Sequence, residues 1–154
     1  MEREQGIKLM QDLLRRMVER KGSDLFITAG FPPAIKVDGE IKPQTNQPLT
    51  PEQAQLLVRA IMNDRQTKEF DSTKECNFAI APPGIGRFRV SAFIQMGLTG
   101  AVLRTINIKV PTIDELELPP ILKEVVRSKR GLCILVGATG SGKSTSLAAM
   151  LDYR

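Results

Sequence analysis

The stretch GATGSGKSTS, Gly137–Ser146, decides how the rest of the chain is read. Gly137, Gly142, Lys143 and Ser144 satisfy the pattern G-x-x-x-x-G-K-[ST]. The pattern has a physical basis. Successive backbone N–H groups must turn inward around a polyphosphate, in conformations that side chains obstruct, and Gly137, Gly140 and Gly142 supply that freedom. Ala138, Thr139 and Ser141 complete the cradle, and Ser144 and Thr145 open the helix after it. Lys143 offers a point charge to the β- and γ-phosphates, and the Ser144 hydroxyl is a ligand for Mg²⁺. The following helix aims its positive end at the anion. The cofactors implied are ATP and Mg²⁺. GTP stays open, because a base-specifying motif would lie further along.

The flanks agree with the motif. Leu132–Gly137, LCILVG, is almost wholly apolar, as expected of a parallel strand buried on both faces, with Cys133 inside it. KSTSLAAMLDYR is rich in helix formers and places Leu147, Met150 and Leu151 on one expected face. Strand, glycine-rich loop and helix in that order are the context a phosphate loop requires.

Working outward, the chain of 154 residues carries a net charge of +5, with 42% hydrophobic and 5% aromatic residues. The basic residues are scattered and aromatics are few, so the surface reads as solvated charge with no nucleic-acid footprint. There is no histidine, which excludes histidine base catalysis and histidine metal ligation within the chain. The two cysteines, Cys76 and Cys133, form neither a disulfide framework nor a zinc pattern. MEREQGIKLM lacks the apolar centre of a signal peptide, and no apolar run approaches a membrane span.

Ahead of the loop, Leu9, Met10, Leu13, Leu14, Met17 and Val18 predict a helix from Ile7 to Lys21, ended by Gly22. Two short strands follow around Gly30-Phe31-Pro32-Pro33, with a hairpin at Asp38-Gly39. Thr50, Pro51 and Gln53 form a helix-start signal, and a short helical stretch should continue through Phe70. CNFAIA, GRFRVSAFIQ and GAVLRTIN read as strands, the last two separated by Gly97–Gly100. In the middle run Phe88, Val90 and Ala92 alternate with Arg87, Arg89 and Ser91, which predicts a half-buried antiparallel sheet with arginines outward.

Three prolines and Thr112-x-x-Glu115 in Lys109–Pro120 mark a boundary before a helix near Ile121–Ser128. The reading is α/β: a mixed α+β domain over 1–108, a linker over 109–120, and the first strand–loop–helix of a second domain over 121–154. A phosphate-loop helix cannot bury its apolar face without further parallel strands. The chain is therefore expected to be the N-terminal segment of a longer protein. Alone it is expected to be inactive, with Leu132–Arg154 loosely held or docked on a neighbour.

GSDLFITAGFPPAIKVDG, GRFRVSAF, VLRTI and RGLCILVGATGSGKSTSLAAMLDY together resemble the retraction ATPases of type IV pili, the PilT/PilU group of the secretion ATPase superfamily. Phe26 follows Leu25 where PilT-like members tend to carry histidine, and with ECNFAI and GIGRFRVSAF this is closer to the PilU branch. The resemblance implies a PAS-like N-terminal domain and a RecA-like ATPase domain in a hexameric ring. That ring drives pilus retraction at the cytoplasmic face of the inner membrane. A paralogous retraction ATPase and the inner-membrane pilus platform are the implied partners. By the same resemblance, Arg89 and Arg104 join Lys143 as catalytic residues, with Arg87 a weaker third; strand alternation alone makes these arginines ordinary surface charge. Two other functions stay open. One is a type II secretion or pilus-extension ATPase, whose members carry a tetracysteine zinc element further on. The other is a non-catalytic module that binds a ring.

Overall fold

The computed structural model describes residues 2–107, 109–138 and 140–154. The chain forms two compact units, Met1–Ile106 and Asn107–Arg154.

In the first unit, helix α1 spans Arg3–Glu19 and buries Met10, Leu13, Leu14 and Met17, the stripe that its three-and-four spacing predicts. It starts earlier than the apolar spacing indicates, because the Glu2 N–H donates to Gln5 Oε1 at 3.0 Å and satisfies an otherwise orphaned amide. Its exit also differs from expectation. Lys21, at φ 52°, takes the left-handed turn, and the Gly22 N–H donates to the Met17 carbonyl at 2.8 Å. Gly22 serves close packing instead: a Cβ there would stand 2.5 Å from Ile35 Cγ2.

Helix α2, Pro51–Ala60, opens with the reciprocal bonds that Thr50 and Gln53 predict, at 3.2 Å and 2.9 Å. Helix α3, Asp64–Thr73, uses the same device through Asn63 and Gln66 and sends Phe70 into the core. The Arg59 guanidinium lies 5.9 Å from the Phe70 ring centre and pairs with Asp71.

Six antiparallel strands form one sheet: β1 Asp24–Thr28, β2 Ala34–Val37, β3 Glu40–Pro43, β4 Glu75–Ile80, β5 Arg87–Gln95 and β6 Leu98–Ile106. Their order across the sheet is β3-β2-β1-β6-β5-β4. The turn between β5 and β6 is Met96-Gly97, both left-handed, so Thr99 and Gly100 lie inside β6 and not in a connecting turn. Alternation sorts the residues into two faces. Leu25, Ile27, Phe88, Val90, Ala92, Ala101 and Leu103 join the α1 and α2 side chains in one core. Asp24, Arg87, Arg89 and Arg104 fall on the opposite face.

The second unit holds helices α4, Ile121–Arg127, and α5, Lys143–Tyr153. Its core is Ile113, Ala149 and Met150, with Leu116, Leu118, Leu122, Val125, Val126 and Leu135 against it. Thr112 and Glu115 exchange bonds at 2.9 Å and 3.1 Å and fix the turn that delivers Ile113. The 109–120 stretch thus lies in this unit; Ile108, where the first domain was expected to end, is outside the described residues.

Two expectations need correction here. Leu132–Gly137 forms no strand, and Leu132, Ile134 and Val136 are 86%, 69% and 85% exposed. Cys133 is likewise exposed. A strand buried on both faces exists only between neighbouring strands, and among the described residues none pairs with this segment. The buried side of α5 is Ala149 and Met150, while Leu147 and Leu151 are exposed. Ile113 packs on that side, and no described element covers the other.

The first unit should lose far more stability from its core than from its caps. Leu57 is fully buried, so Leu57→Ala should cost about 2–5 kcal/mol, whereas Thr50→Ala should cost about 1 kcal/mol. Urea denaturation of the two variants checks the ordering; equal losses would place Leu57 outside a packed core.

Candidate functional site

The glycine-rich loop takes left-handed backbone at two of the three glycines expected to supply it, and not at Gly137. Gly140 and Gly142 sit at φ 81° and 89°, backbone that side-chain-bearing residues rarely adopt. Gly142 delivers the chain into α5, whose first backbone bond runs from the Ser146 N–H to the Gly142 carbonyl at 2.9 Å. Helix geometry therefore leaves the amides of Lys143, Ser144 and Thr145 without intrahelical acceptors. Gly140, Gly142, Lys143, Ser144 and Thr145 line an open cavity of about 420 Å³. Orphan amides, a helix N-terminus, a lysine and two hydroxyls converge there, a donor set suited to a phosphate chain.

Lys143 lies across the loop. Its Nζ donates to the carbonyls of Gly137 and Ala138, each at 2.6 Å, and approaches Ser141 Oγ at 3.4 Å. The ammonium is thus held at the cavity rim by neutral acceptors, which an anion can outcompete. A Cβ at Gly137 would stand 2.6 Å from Ser141 Oγ and would require that side chain to turn. Thr139, part of the expected cradle, lies outside the described residues. Ser144 is the expected Mg²⁺ ligand, and among the described residues no cluster of acidic or cysteine side chains is arranged to hold a metal.

The expected catalytic arginines belong to the first unit. Arg89 on β5 and Arg104 on β6 are directly opposite in the ladder, and Arg104 is also opposite Asp24 on β1, which faces Lys36 on β2. One row of the sheet therefore reads Lys36, Asp24, Arg104, Arg89. Arg87 lies at the end of β5, opposite Ile106. Arg104 Nε donates to Asp24 Oδ1 at 2.9 Å, and Ser23 Oγ donates to Asp24 Oδ2 at 2.8 Å. The two ends of the ion pair differ in exposure: the Asp24 side chain is 9% exposed and that of Arg104 72%.

Burial works to raise the Asp24 carboxyl. The hydrogen bonds from Arg104 and Ser23, with the charges of Arg104 and Lys36, outweigh it and hold the pKa below its ordinary value. Sequence reasoning missed Asp24. The available signal was a carboxylate alternating with Leu25 and Ile27, which places it on the arginine face.

The family model for Type II/IV secretion system proteins matches residues 2–153. The chain is 59% identical over 144 residues to the type IV pilus ATPase PilU of Pseudomonas aeruginosa, covering 94% of this chain and 38% of that protein. It is 46% identical over 142 residues to the type IV pilus retraction ATPase PilT of the same organism, covering 92% and 41%. The chain thus spans about two fifths of the length of these relatives. The α+β fold matches the crystal structure of the pilus retraction motor PilT with bound ADP at a TM-score of 0.81 and 37% identity, over 93% of this chain and 42% of that one.

The lowered Asp24 pKa fixes the sign of a pH effect. A carboxylate whose folded pKa is depressed stabilises the fold above its unfolded pKa, and that stability is lost as pH falls through the folded value. Between about pH 5 and pH 2, wild-type protein should lose more stability than Asp24→Asn, whose acid limb should be flatter. Chemical denaturation along that pH series checks it, and parallel acid limbs would contradict it.

Proposed function

The chain belongs to the Type II/IV secretion system protein family, and from that premise we propose that it is part of an ATP-hydrolysing ring motor that drives type IV pilus retraction. The observation that carries the proposal is the loop Gly137–Ser144 at the start of α5, with the Lys143 ammonium held at the rim of the amide-lined cavity. In this reading the amides of the loop and of the first turn of α5 wrap the phosphates. Lys143 would leave its two carbonyls for the β- and γ-phosphates, and the Ser144 hydroxyl would hold Mg²⁺. Mg²⁺ with ATP supplies neutralisation of the charge that develops on the phosphate oxygens.

Met1–Ile106 is the PAS-like unit of this motor, a reading supported by its antiparallel sheet with helices on one face. Asn107–Arg154 opens the RecA-like unit, as the loop and α5 support. Arg89 and Arg104 complete the nucleotide site in the assembled hexamer, where a guanidinium on a rigid strand offers a preorganised fork to a phosphate. The motor works in the cytoplasm at the inner membrane, beside a paralogous retraction ATPase and the pilus platform. Identity to PilU, higher than that to PilT, supports the PilU branch.

Lys143→Ala in the full-length protein should abolish ATP hydrolysis with little change in melting temperature, because Lys143 lies on the loop surface and outside the core. Steady turnover by a folded, assembled Lys143→Ala protein would remove Gly137–Ser144 from the reaction.

The arginines have their own test. Arg89→Ala and Arg104→Ala should each lower turnover strongly, toward the roughly 10³-fold at the low end for arginine fingers. Nucleotide affinity should change much less in both, and so should the melting temperature of Arg89→Ala, whereas Arg104→Ala leaves the buried Asp24 carboxylate without its guanidinium and should also melt lower; lysine should rescue poorly for want of the planar fork. Wild-type turnover in both alanine variants would return them to plain surface charge.

A further inference from the structure

We propose that Asp24 is a positioning residue that holds the Arg104 guanidinium in the orientation in which it meets a phosphate, an inference that rests on the nucleotide-site reading of Arg104. Surface arginines are ordinarily free to sweep through many rotamers. Arg104 is 72% exposed on its side chain, yet its Nε is fixed at 2.9 Å from Asp24 Oδ1. The anchor is itself immobile. Asp24 lies on a strand paired on both sides, by β2 and by β6, and Ser23 Oγ occupies its second oxygen at 2.8 Å. Its carboxylate cannot swing away without losing that hydroxyl.

Because a guanidinium is rigid and planar, holding Nε restricts where the whole group can lie. The edge that carries Nη1 and Nη2 is then left for another acceptor, and two parallel donors on one edge match the oxygens of a phosphate. The neighbour across the ladder agrees with such a use. Arg89 is directly opposite Arg104, and like charges in that relation are unfavourable unless an anion lies between or over them. Lys36, on the other side of Asp24, adds to the positive field and competes for the same carboxylate. The row holds three cations to one carboxylate, so it keeps an excess positive charge with Arg104 bound to Asp24. Both Asp24 oxygens are engaged, one by Arg104 and one by Ser23. The effect of Asp24 passes through Arg104.

The test is a double-mutant cycle on the full-length protein, read as ATP turnover and KM. Asp24→Asn should lower kcat by about tenfold, as expected for a charged hydrogen bond that orients a group acting in the transition state. KM for ATP should change by less than about threefold, since ground-state binding is left in place. Adding Asp24→Asn to Arg104→Ala should cause no further loss, because residues that act through one another are not additive. Losses that multiply in the double variant would show that Asp24 acts independently of Arg104 and would overturn the proposal. Slow Arg104→Ala with wild-type-like Asp24→Asn would overturn the positioning role alone. Wild-type turnover in Arg104→Ala would instead overturn the arginine reading beneath it. Independently of any variant, the Arg104 Nε–H of the wild-type protein should exchange with solvent far more slowly than that of a free arginine; equal rates would overturn the anchor.

Discussion

The register of β6 is the constraint on which the first unit depends. β6 lies between β1 and β5 and joins the two halves of the six-stranded sheet. Its alternation places Ala101 and Leu103 in the core with Leu25, Ile27, Val90 and Ala92, and Arg104 on the opposite face with Asp24 and Arg89. A slip of one residue would bring a guanidinium into the core and expose Leu103. One choice of register therefore fixes the packing and assembles the charged row. The burial of Leu103 and the orientation of Arg104 have the same cause.

The second unit prepares its chemistry differently. Its core is small, and its defining feature is a backbone conformation that places amide donors and one ammonium around a cavity. The charged row is likewise preorganised, with side chains standing on a rigid sheet. On the proposed reading both features would meet phosphate with groups set before the ligand arrives, which would limit the reorganisation needed at the moment of reaction. Lys143, resting on the Gly137 and Ala138 carbonyls, is the group in the loop that would have to move on that reading.

What the sequence disclosed was local. The Thr50–Gln53 exchange, the alternation from Arg87 to Ala92 and the left-handed backbone at Gly140 and Gly142 are each specified within a few residues, and each is found in the structure. What it concealed depends on partners distant in sequence. Asp24 and Arg104 are 80 residues apart, and only the strand order brings them together. Leu132–Gly137 has the composition of a buried strand, but composition states what a segment suits, and a strand also needs neighbours to pair with. Gly22 shows the same limit. Its position after a helix pointed to a left-handed cap, while the structure gives that turn to Lys21 and reserves Gly22 for close contact with Ile35.

The most direct test of the account is a structure of the full-length protein with Mg²⁺ and a non-hydrolysable ATP analogue. The account predicts Lys143 Nζ on the β- and γ-phosphates and away from Gly137 and Ala138. It also predicts Arg104 terminal nitrogens within hydrogen-bonding distance of a phosphate oxygen, with Nε still on Asp24. A nucleotide bound elsewhere, or Arg104 turned away from it with its Asp24 bond broken, would contradict the account.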